Sequence, residues 1–141
     1  MLNFIRLIRY QNLIIIILTQ YLMRWCIIKP ILNVYNFKLQ FSELNFFFLV
    51  MATVFITAAG YVINDYFDTK TDLVNRPETV IVGRLLNRRW AILLHVILNG
   101  IGIGLGTYIS FYIGMPILSI VFVFITGILW FYSTTYKRQF L

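Results

Sequence analysis

The sequence predicts an all-α integral membrane protein, a bundle of about four transmembrane helices. Hydrophobic residues make up 60% of the 141 residues and charged residues only 12%, whereas soluble domains carry roughly a quarter charged residues. Four apolar stretches lie close to the length of about 20 residues that a membrane helix needs. The remaining residues form short connections, so we expect no separate soluble domain.

Charge and cysteine content exclude several other classes of protein. The single cysteine, Cys26, excludes an intrachain disulfide and a thiol pair for metal or redox chemistry. A net charge of +7 suggests nucleic acid for a soluble domain, but here most basic residues flank apolar stretches, so membrane topology explains them and no nucleic-acid partner is expected. Arg6 and Arg9 precede an apolar run as in a secretory signal, yet no small-residue cleavage site follows, and we predict that the span is retained.

The predicted spans cover residues 13–28, 44–63, 91–109 and 116–132. Lys29 and Pro30 are predicted to close the first span, because proline disrupts a helix interior. Arg24 lies near the end of that span, and we expect its side chain to reach toward the interface rather than to lie buried in the bilayer. Ala58, Ala59 and Gly60 in the second span allow close helix approach.

The third predicted span carries alternating glycines and one histidine. The glycines are Gly100, Gly102, Gly104 and Gly106. Pairs such as Gly100 with Gly104 are small residues four apart, which favours helix packing over a phosphate-binding loop, because such a loop needs a strand before it. His95 has no second histidine or cysteine beside it, so we expect a hydrogen-bonded packing residue with Asn99 as a partner rather than a metal ligand.

The basic residues predict the orientation of the bundle. With four spans, nine of the 12 Lys and Arg residues fall on the face that holds both termini and the polar loop after the second span. The positive-inside rule places that face in the cytoplasm. We expect an integral protein of a bacterial inner membrane, with both termini and the acidic segment cytoplasmic.

An acidic segment follows the second span directly. Three of the five acidic residues lie within eight positions there. If the helix continues, Asn64, Asp68 and Asp72 recur every four residues and Asp65 lies three before Asp68, so all four project from one side, which we call the acidic face.

The acidic face is suited to a hard divalent cation. Magnesium takes oxygen ligands and is often held by one or two carboxylates together with substrate phosphates. Calcium in an EF-hand needs a different ligand spacing, and zinc needs nearby His or Cys. The structural alternative is a solvated helix end whose carboxylates balance Lys70 and Arg76. The concentration of acids beside a membrane span favours a site for magnesium and diphosphate.

The same segment resembles the first aspartate-rich motif of the UbiA family of intramembrane prenyltransferases. That motif has the pattern Asn-Asp-x-x-Asp-x-x-x-Asp followed by Asn-Arg/Lys-Pro, and this chain has Asn64-Asp65-Tyr66-Phe67-Asp68-Thr69-Lys70-Thr71-Asp72 followed by Asn75-Arg76-Pro77. Two weaker matches flank it in the same order as in the family. Arg9-Tyr10-Gln11-Asn12 resembles the Arg-Pro-x-Asn opening of the first helix, with Tyr10 in place of proline, and Tyr132-Ser133 through Lys137-Arg138 resembles the segment after the fourth helix.

The resemblance implies a magnesium-dependent enzyme of about nine helices that transfers a polyprenyl group from its diphosphate to an acceptor. Metal ions act as Lewis acids on the departing diphosphate, and basic side chains stabilise its charge. The family pattern implies roles for the matching residues. The metal ligands would be Asn64, Asp65, Asp68 and Asp72, with Asp68 and Asp72 as catalytic residues; the diphosphate contacts would be Arg9, Arg76, Lys137 and Arg138. Asn12 would orient the acceptor or merely cap its helix. The basic residues have the alternative role of topology determinants.

Two departures from the family pattern limit what the resemblance implies. After Pro77 this chain reads Glu78-Thr79-Val80-Ile81-Val82-Gly83-Arg84, whereas many relatives continue Arg-Pro-Ile-Pro-Ser-Gly, so the acceptor class stays open among an aromatic acid, a quinone precursor, a haem and a glycerol phosphate. No Asp or Glu follows Glu78, so the second aspartate-rich motif is absent.

We therefore expect residues 1–141 to form the N-terminal part of a UbiA-like domain, inactive without a C-terminal half. Its partners would be a prenyl diphosphate, membrane lipid and that half. The non-enzymatic alternative is a four-helix membrane protein or remnant that binds a lipid diphosphate or a partner helix.

Overall fold

A computed structural model describes residues 2–75, 77 and 80–136, and they form a helical bundle. The α-helices are α1 (Leu2–Leu7), α2 (Tyr10–Leu22), α3 (Lys29–Val34), α4 (Glu43–Asn75), α5 (Arg88–Tyr112) and α6 (Ser119–Phe131). A π-helical segment, Met23–Ile28, joins α2 to α3, a short 3₁₀ turn, Pro116–Leu118, leads into α6, and a second π-helical segment, Tyr132–Tyr136, follows it. The all-α fold class is thereby confirmed.

Four helical stretches in the described chain are long and apolar enough to cross a membrane. They are Tyr10–Val34, Glu43–Thr69, Arg88–Tyr112 and Pro116–Thr135. The number of spans agrees with the prediction, and each predicted span lies inside one of these stretches. The second helix continues well past its apolar part and ends at Asn75, so it contains the whole acidic segment.

The predicted end of the first span at Lys29 and Pro30 is wrong. The helix passes through both residues and continues to Val34. Pro30 falls in the first turn of α3, directly after the π-helical segment. Proline lacks an N–H and clashes with the preceding turn of a regular helix, and a widened turn is one way in which a helix accommodates such a residue.

Helix α4 is the centre of the bundle. In the most apolar part of α4, 50% of the residues are buried, against 33% in that of α5 and 6% in that of each of the first and fourth spans. The core contains Val50, Ala58, Ala59 and Val62 of α4 and Ala91 and Leu98 of α5. The first and fourth spans pack on either side of α4 and leave broad apolar faces exposed.

The glycines of α5 mediate helix packing as predicted, and the pair that does so is Gly102 and Gly106, not the example pair Gly100 and Gly104. Gly102 lies against α4, where a Cβ atom would stand 2.7 Å from Ile56 Cγ1 and 3.0 Å from the Ala52 carbonyl oxygen. Gly106 lies against Phe122, whereas a Cβ atom at Gly100 or Gly104 would meet no heavy atom within 4 Å. Residues four apart share a face, so Gly102 and Gly106 face the bundle and the other pair faces away.

Arg24 is buried by contacts with the residues around the start of α4, where its partner Glu43 is 62% exposed. The Arg24 side chain is 3% exposed and lies 3.1 Å from Glu43 Oε1, and its Nη2 donates a hydrogen bond of 2.7 Å to the Phe41 carbonyl oxygen. The guanidinium also lies 4.4 Å from the centroid of the Phe46 ring. These contacts tie the end of the first span to the start of α4, so Arg24 has partners inside the protein that make a solvent-facing position unnecessary.

Candidate active site

The acidic face occupies the last turns of α4. Because a helix rises 1.5 Å per residue, Asn64, Asp68 and Asp72 are spaced about 6 Å apart along the axis. At about 100° per residue, these three residues and Asp65 lie within an arc of about 100° around the helix. Their side chains are all partly buried. The predicted continuation of the helix through this segment is therefore confirmed, and the four side chains share one face.

Asn64 and Asp68 are joined by a hydrogen bond. Asn64 Nδ2 donates to Asp68 Oδ2 across 2.8 Å, one helical turn apart. A carboxylate that accepts from an amide is held in a defined orientation, and charge-assisted bonds of this kind are stronger than neutral ones. Asn64 therefore fixes the orientation of the Asp68 carboxylate, one turn farther along α4.

Asp65 points to the other flank of the face, where it pairs with Arg9. Arg9 Nη2 lies 3.0 Å from Asp65 Oδ1, with side-chain exposures of 47% and 23%. The backbone of Arg9 has φ 52°, a left-handed conformation that non-glycine residues seldom adopt. It lies at the break between α1 and α2, and its side chain reaches α4. The Arg9 guanidinium also stands over the Tyr61 ring, 5.0 Å from the centroid.

Asn12 also contacts α4, and it does not cap its own helix. Its Nδ2 donates to the Tyr61 hydroxyl across 3.1 Å. The N-cap of α2 is Arg9, whose position carries no side-chain capping bond. The capping alternative for Asn12 is therefore wrong. Tyr10 takes the first helical position, which is also the position that proline favours, so the departure from the family's Arg-Pro pattern is compatible with the helix start.

Aromatic side chains form the opposite flank of the acidic face. Phe67 lies about 100° around α4 from Asp68 and meets Trp130 of α6 edge to face, with ring centroids 6.0 Å apart. Gly60 lies on the same side, where a Cβ atom would be 3.1 Å from Leu129 Cδ1. The acidic face therefore lies between α2, which brings Arg9 and Asn12, and α6, which brings Trp130.

A buried polar contact fixes α5 behind this face. His95 Nδ1 lies 2.9 Å from the Ala59 carbonyl oxygen, and Asn99 Nδ2 lies 3.0 Å from His95 Nε2. These distances assign the Nδ1 proton to the bond with Ala59 and leave Nε2 as the acceptor from Asn99. His95 also packs against Trp130 at 5.3 Å between ring centroids. The expectation of a packing histidine with Asn99 as its partner agrees with this arrangement.

The connection after α4 folds back onto the bundle. Val80 and Val82 are buried, and Gly83, with φ +88°, lies where a Cβ atom would stand 3.3 Å from the Thr69 methyl group. Farther along, Arg88 stands over the Tyr66 ring at 4.5 Å from its centroid. Residues 80–83, the described part of the loop that departs from the family pattern, are thus packed near the C-terminal end of α4, beside the acidic face.

Three of the predicted diphosphate contacts lie outside the described residues. They are Arg76, Lys137 and Arg138. The π-helical segment Tyr132–Tyr136 packs against α4, and Ser133 within it is buried, donating to the Leu129 carbonyl oxygen across 3.0 Å. The segment that leads toward Lys137 and Arg138 is therefore held at α4.

The donor set fits magnesium as part of a site. Across the described residues, no three His, Cys, Asp or Glu side chains converge into a metal cluster. Asp68 and Asp72 are one turn apart, and one or two carboxylates are what magnesium takes from protein when phosphate and water complete its shell. Asp65 is engaged by Arg9. The residues therefore fit a shared metal and diphosphate site rather than an all-protein metal cage.

Tyr61 is a residue of this site that the sequence pattern did not single out. It precedes Asn64 by three residues and Asp65 by four, the spacing that places residues on one face of a helix. The same periodicity that identifies the acidic face could have included it.

Comparisons with known proteins point to one family. A family model described as the UbiA prenyltransferase family matches residues 34–141. Among curated proteins, digeranylgeranylglyceryl phosphate synthase of Methanothermobacter thermautotrophicus is 32% identical over 94 residues, which cover 65% of this chain and 34% of that protein. The protein of the same name from Methanosarcina barkeri is 36% identical over 90 residues, covering 63% of this chain and 29% of its own length.

A solved structure shares the fold. It is described as "Structural and mechanistic insights into the biosynthesis of Digeranylgeranylglyceryl phosphate synthase in membranes", and it matches with a TM-score of 0.73 and 26% identity. The match covers 96% of this chain and 44% of that one. The matched segments thus span about a third or less of the two curated relatives and under half of the solved chain.

Proposed function

The chain belongs to the UbiA prenyltransferase family, and on that basis we propose that it takes part in magnesium-dependent transfer of a prenyl group from its diphosphate to an acceptor within the membrane. The observation that carries the proposal is the acidic face of α4, with Asp68 oriented by Asn64 and Arg9 placed at its flank. The face lies at the end of an apolar span, where a lipid diphosphate can keep its tail in the membrane and its headgroup among polar side chains.

In this proposal Asp68 and Asp72 hold the metal, and Asn64 keeps the Asp68 carboxylate in position through its amide. When bound, magnesium neutralises the diphosphate and acts as a Lewis acid on the leaving oxygens. Asp65 is held by Arg9 and lies closest to the α2 flank. Asp65 joins the proposed metal set when substrate binding opens that ion pair.

Basic side chains stabilise the diphosphate as its bond to the prenyl group breaks. Of the proposed basic residues, Arg9 is the described one in position to do so, since its guanidinium already lies 3.0 Å from Asp65 Oδ1 at the flank of the acidic face. Arg76, Lys137 and Arg138 complete the proposed set by the family pattern. The C–O bond of the donor breaks, the acceptor oxygen forms the new bond to the prenyl carbon, and the acceptor proton leaves to solvent or to a nearby base.

The apolar surroundings serve to exclude water from the reacting prenyl group. Phe67 and Trp130 form an aromatic flank next to Asp68, and the outer faces of α2 and α6 are apolar. A dry site protects a reactive allylic centre from hydrolysis and strengthens the electrostatic interactions around the diphosphate. Asn12, held by the Tyr61 hydroxyl, is proposed to orient the acceptor from the α2 side.

For the acceptor, we propose a glyceryl phosphate lipid. The name of the matched relatives describes a product with two geranylgeranyl groups on glyceryl phosphate. By analogy, the donor here would be geranylgeranyl diphosphate and the acceptor a glyceryl phosphate that already bears one prenyl group. Of the four acceptor classes left open by the sequence, this one has the support of related proteins.

We also propose that the site is completed from outside these 141 residues. Magnesium and diphosphate need more ligands than Asp68 and Asp72 provide, and the sequence holds no Asp or Glu after Glu78. The remaining ligands would come from water, the diphosphate and a second acidic cluster, as in the family pattern. The acidic face is proposed to lie on the cytoplasmic side, where the excess of basic residues falls.

A transfer assay tests this function. Membranes would contain the chain together with the C-terminal half of the Methanothermobacter relative, labelled geranylgeranyl diphosphate and a geranylgeranylglyceryl phosphate acceptor. We expect product only with magnesium, and we expect Asp68→Asn to lower the rate by about 10² or more, the scale of losing one preorganised charge-stabilising group. Glu43→Gln, the same chemical change at the opposite end of α4, is the matched control. Because it also removes the ion pair with Arg24, rates are compared per amount of folded protein, and on that basis the control should retain activity.

Two results would decide against the proposal. Transfer that persists with Asp68→Asn or without magnesium contradicts the site assignment. Magnesium-dependent binding of the diphosphate with no transfer in any preparation would favour the non-catalytic alternative, a membrane protein that binds lipid diphosphates.

A further inference from the structure

Tyr61 lies on the acidic face, one turn deeper in the membrane than Asn64 and Asp65. By its position on α4 it falls within the arc of the four acidic-face residues. Its side chain is partly buried and contacts α2 through both its ring and its hydroxyl.

The ring of Tyr61 supports Arg9. The guanidinium stands over the ring at 5.0 Å from its centroid while Nη2 pairs with Asp65. Aromatic faces attract guanidinium groups, and they do so more strongly when the cation is partly removed from water. The strained backbone of Arg9 is the kind of conformation that persists only where its surroundings fix it. Tyr61 and Asp65 together provide those surroundings.

The hydroxyl of Tyr61 supports Asn12. It accepts the Asn12 amide proton across 3.1 Å, so the side chain of Asn12 has a fixed direction at the first turn of α2. One tyrosine therefore contacts Arg9, just before α2, and Asn12, in its first turn, the two residues there to which the proposed reaction assigns roles.

We propose that Tyr61 is a positioning residue that holds Arg9 and Asn12 at the flank of the acidic face, ready for the diphosphate and the acceptor. The proposal rests on the proposed function for the roles of Arg9 and Asn12. Tyr61 itself exchanges no proton and forms no bond to substrate. It acts through the ring, which sets the place of Arg9, and through the hydroxyl, which sets the direction of Asn12.

The first test uses the ligand-free chain and reads the place of Arg9 directly. In an NMR spectrum of the chain in lipid nanodiscs, the Arg9 Hε resonance, assigned by its loss in Arg9→Lys, should be shifted by the ring current of Tyr61. Tyr61→Phe keeps the ring and should keep that shift, whereas Tyr61→Leu should abolish it. An Arg9 resonance that is unshifted in the wild type, or unchanged in Tyr61→Leu, overturns the proposal.

The second test reads the consequence for substrate. Calorimetric titration with geranylgeranyl diphosphate and magnesium, on the chain together with the C-terminal half used in the transfer assay, should show affinity about fivefold weaker in Tyr61→Leu and nearly unchanged in Tyr61→Phe, on the scale of one cation–π contact. In an Arg9→Gln background, Tyr61→Leu should add no further loss, because its effect passes through Arg9. Tyr108→Leu is the matched control and should leave affinity unchanged. Tyr108 lies near the C-terminal end of α5, where its ring packs against Phe48 near the start of α4, the end opposite the acidic face.

The two tests separate the failure of this inference from that of the proposed function. Additive losses from Tyr61→Leu and Arg9→Gln contradict the positioning role while the proposed function stands. A wild-type chain that does not bind the diphosphate even together with the C-terminal half contradicts the proposed function, and the resonance of Arg9 then still decides whether Tyr61 holds it.

Discussion

The guanidinium of Arg9 donates a hydrogen bond to the carboxylate of Asp65 across 3.0 Å, joining residues 56 positions apart in the sequence. The contact fixes the start of α2 against the acidic end of α4. Asp65 has 23% and Arg9 47% of its side chain exposed, so solvent screens the pair in part. Its main effect is on position, because it holds the Arg9 guanidinium at the flank of the acidic face.

Reversing the charges of this pair tests the contact. We expect Arg9→Asp and Asp65→Arg each to lower the free energy of unfolding by about 1 kcal/mol, and the double variant to recover part of that loss. Denaturant unfolding in detergent micelles, followed by circular dichroism, measures the four proteins. Arg6→Asp, at an exposed position of α1, is the control for the charge change alone. Losses that simply add in the double variant would show that the two side chains do not interact.

Replacing Asn64 by Asp tests whether the acidic face takes a cation. Asn64 donates a hydrogen bond to Asp68, and the substitution replaces that donor with a carboxylate one turn from Asp68. Like charges at this spacing destabilise a helix by about 0.5 kcal/mol. We expect a lower melting temperature without magnesium and a larger rise than the wild type shows when magnesium is added, since binding to the folded state stabilises it. Thermal melts in matched buffers measure both.

Leu73→Asp provides the control for Asn64→Asp. It adds a carboxylate at the same end of α4, at an exposed position about 140° around the helix from Asp68. It should gain no extra stabilisation from magnesium. Equal responses of the two variants would mean that the ion binds acidic lipid or general surface charge rather than this face.

The glycines of α5 give a sharp test of helix packing. Gly102→Ala places a Cβ atom 3.0 Å from the Ala52 carbonyl oxygen, which is backbone and cannot move aside easily. We expect a loss of about 1–3 kcal/mol in unfolding free energy from this overpacking. Gly100→Ala and Gly104→Ala, whose new methyl groups meet open space, should be neutral or slightly stabilising because alanine favours the helix. A similar loss at all three positions would contradict the assigned face.

Substitutions at Arg24 and Lys29 compare a buried cation with an exposed one near the same end of the bundle. Arg24→Gln removes the ion pair with Glu43 and the guanidinium stacked on Phe46, and we expect it to lower the unfolding free energy by about 1–3 kcal/mol. Lys29→Gln, at an exposed position, should change it by less than about 0.5 kcal/mol. Thermal unfolding of both variants in micelles checks the difference, and equal effects would contradict the anchoring role of Arg24.

The spans and the acidic face could be predicted from the sequence because each depends on local periodicity. Apolar length alone indicates four membrane helices, and the spacing of Asn64, Asp68 and Asp72 gives one face once the helix continues. The helix through Pro30 could not be predicted in this way, because the effect of proline depends on the preceding turn, which is π-helical here. Local pattern carries no information about that widening.

The contacts between helices could not be predicted from periodicity either. Alternating glycines leave two possible faces, and only the position of α4 decides that Gly102 rather than Gly100 is the packing residue. Arg24 has its partners at Phe41 and Glu43 on a different segment, so its burial follows from tertiary structure. The pairing of Arg9 with Asp65 is likewise a relation between two spans, which one sequence without its fold does not contain.

The most direct test of the central claim is the magnesium dependence of diphosphate binding at Asp68. Geranylgeranyl diphosphate would be titrated calorimetrically into nanodiscs of neutral lipid that hold the chain together with the C-terminal half of the Methanothermobacter relative, with magnesium or with chelator, for the wild type, Asp68→Asn and Glu43→Gln. We expect removal of magnesium to weaken wild-type and Glu43→Gln binding by about 10² or more, and Asp68→Asn to bind weakly in both conditions. Equal affinity with and without magnesium, or a magnesium response that survives Asp68→Asn, would contradict the assignment of a metal-bridged diphosphate site to the acidic face.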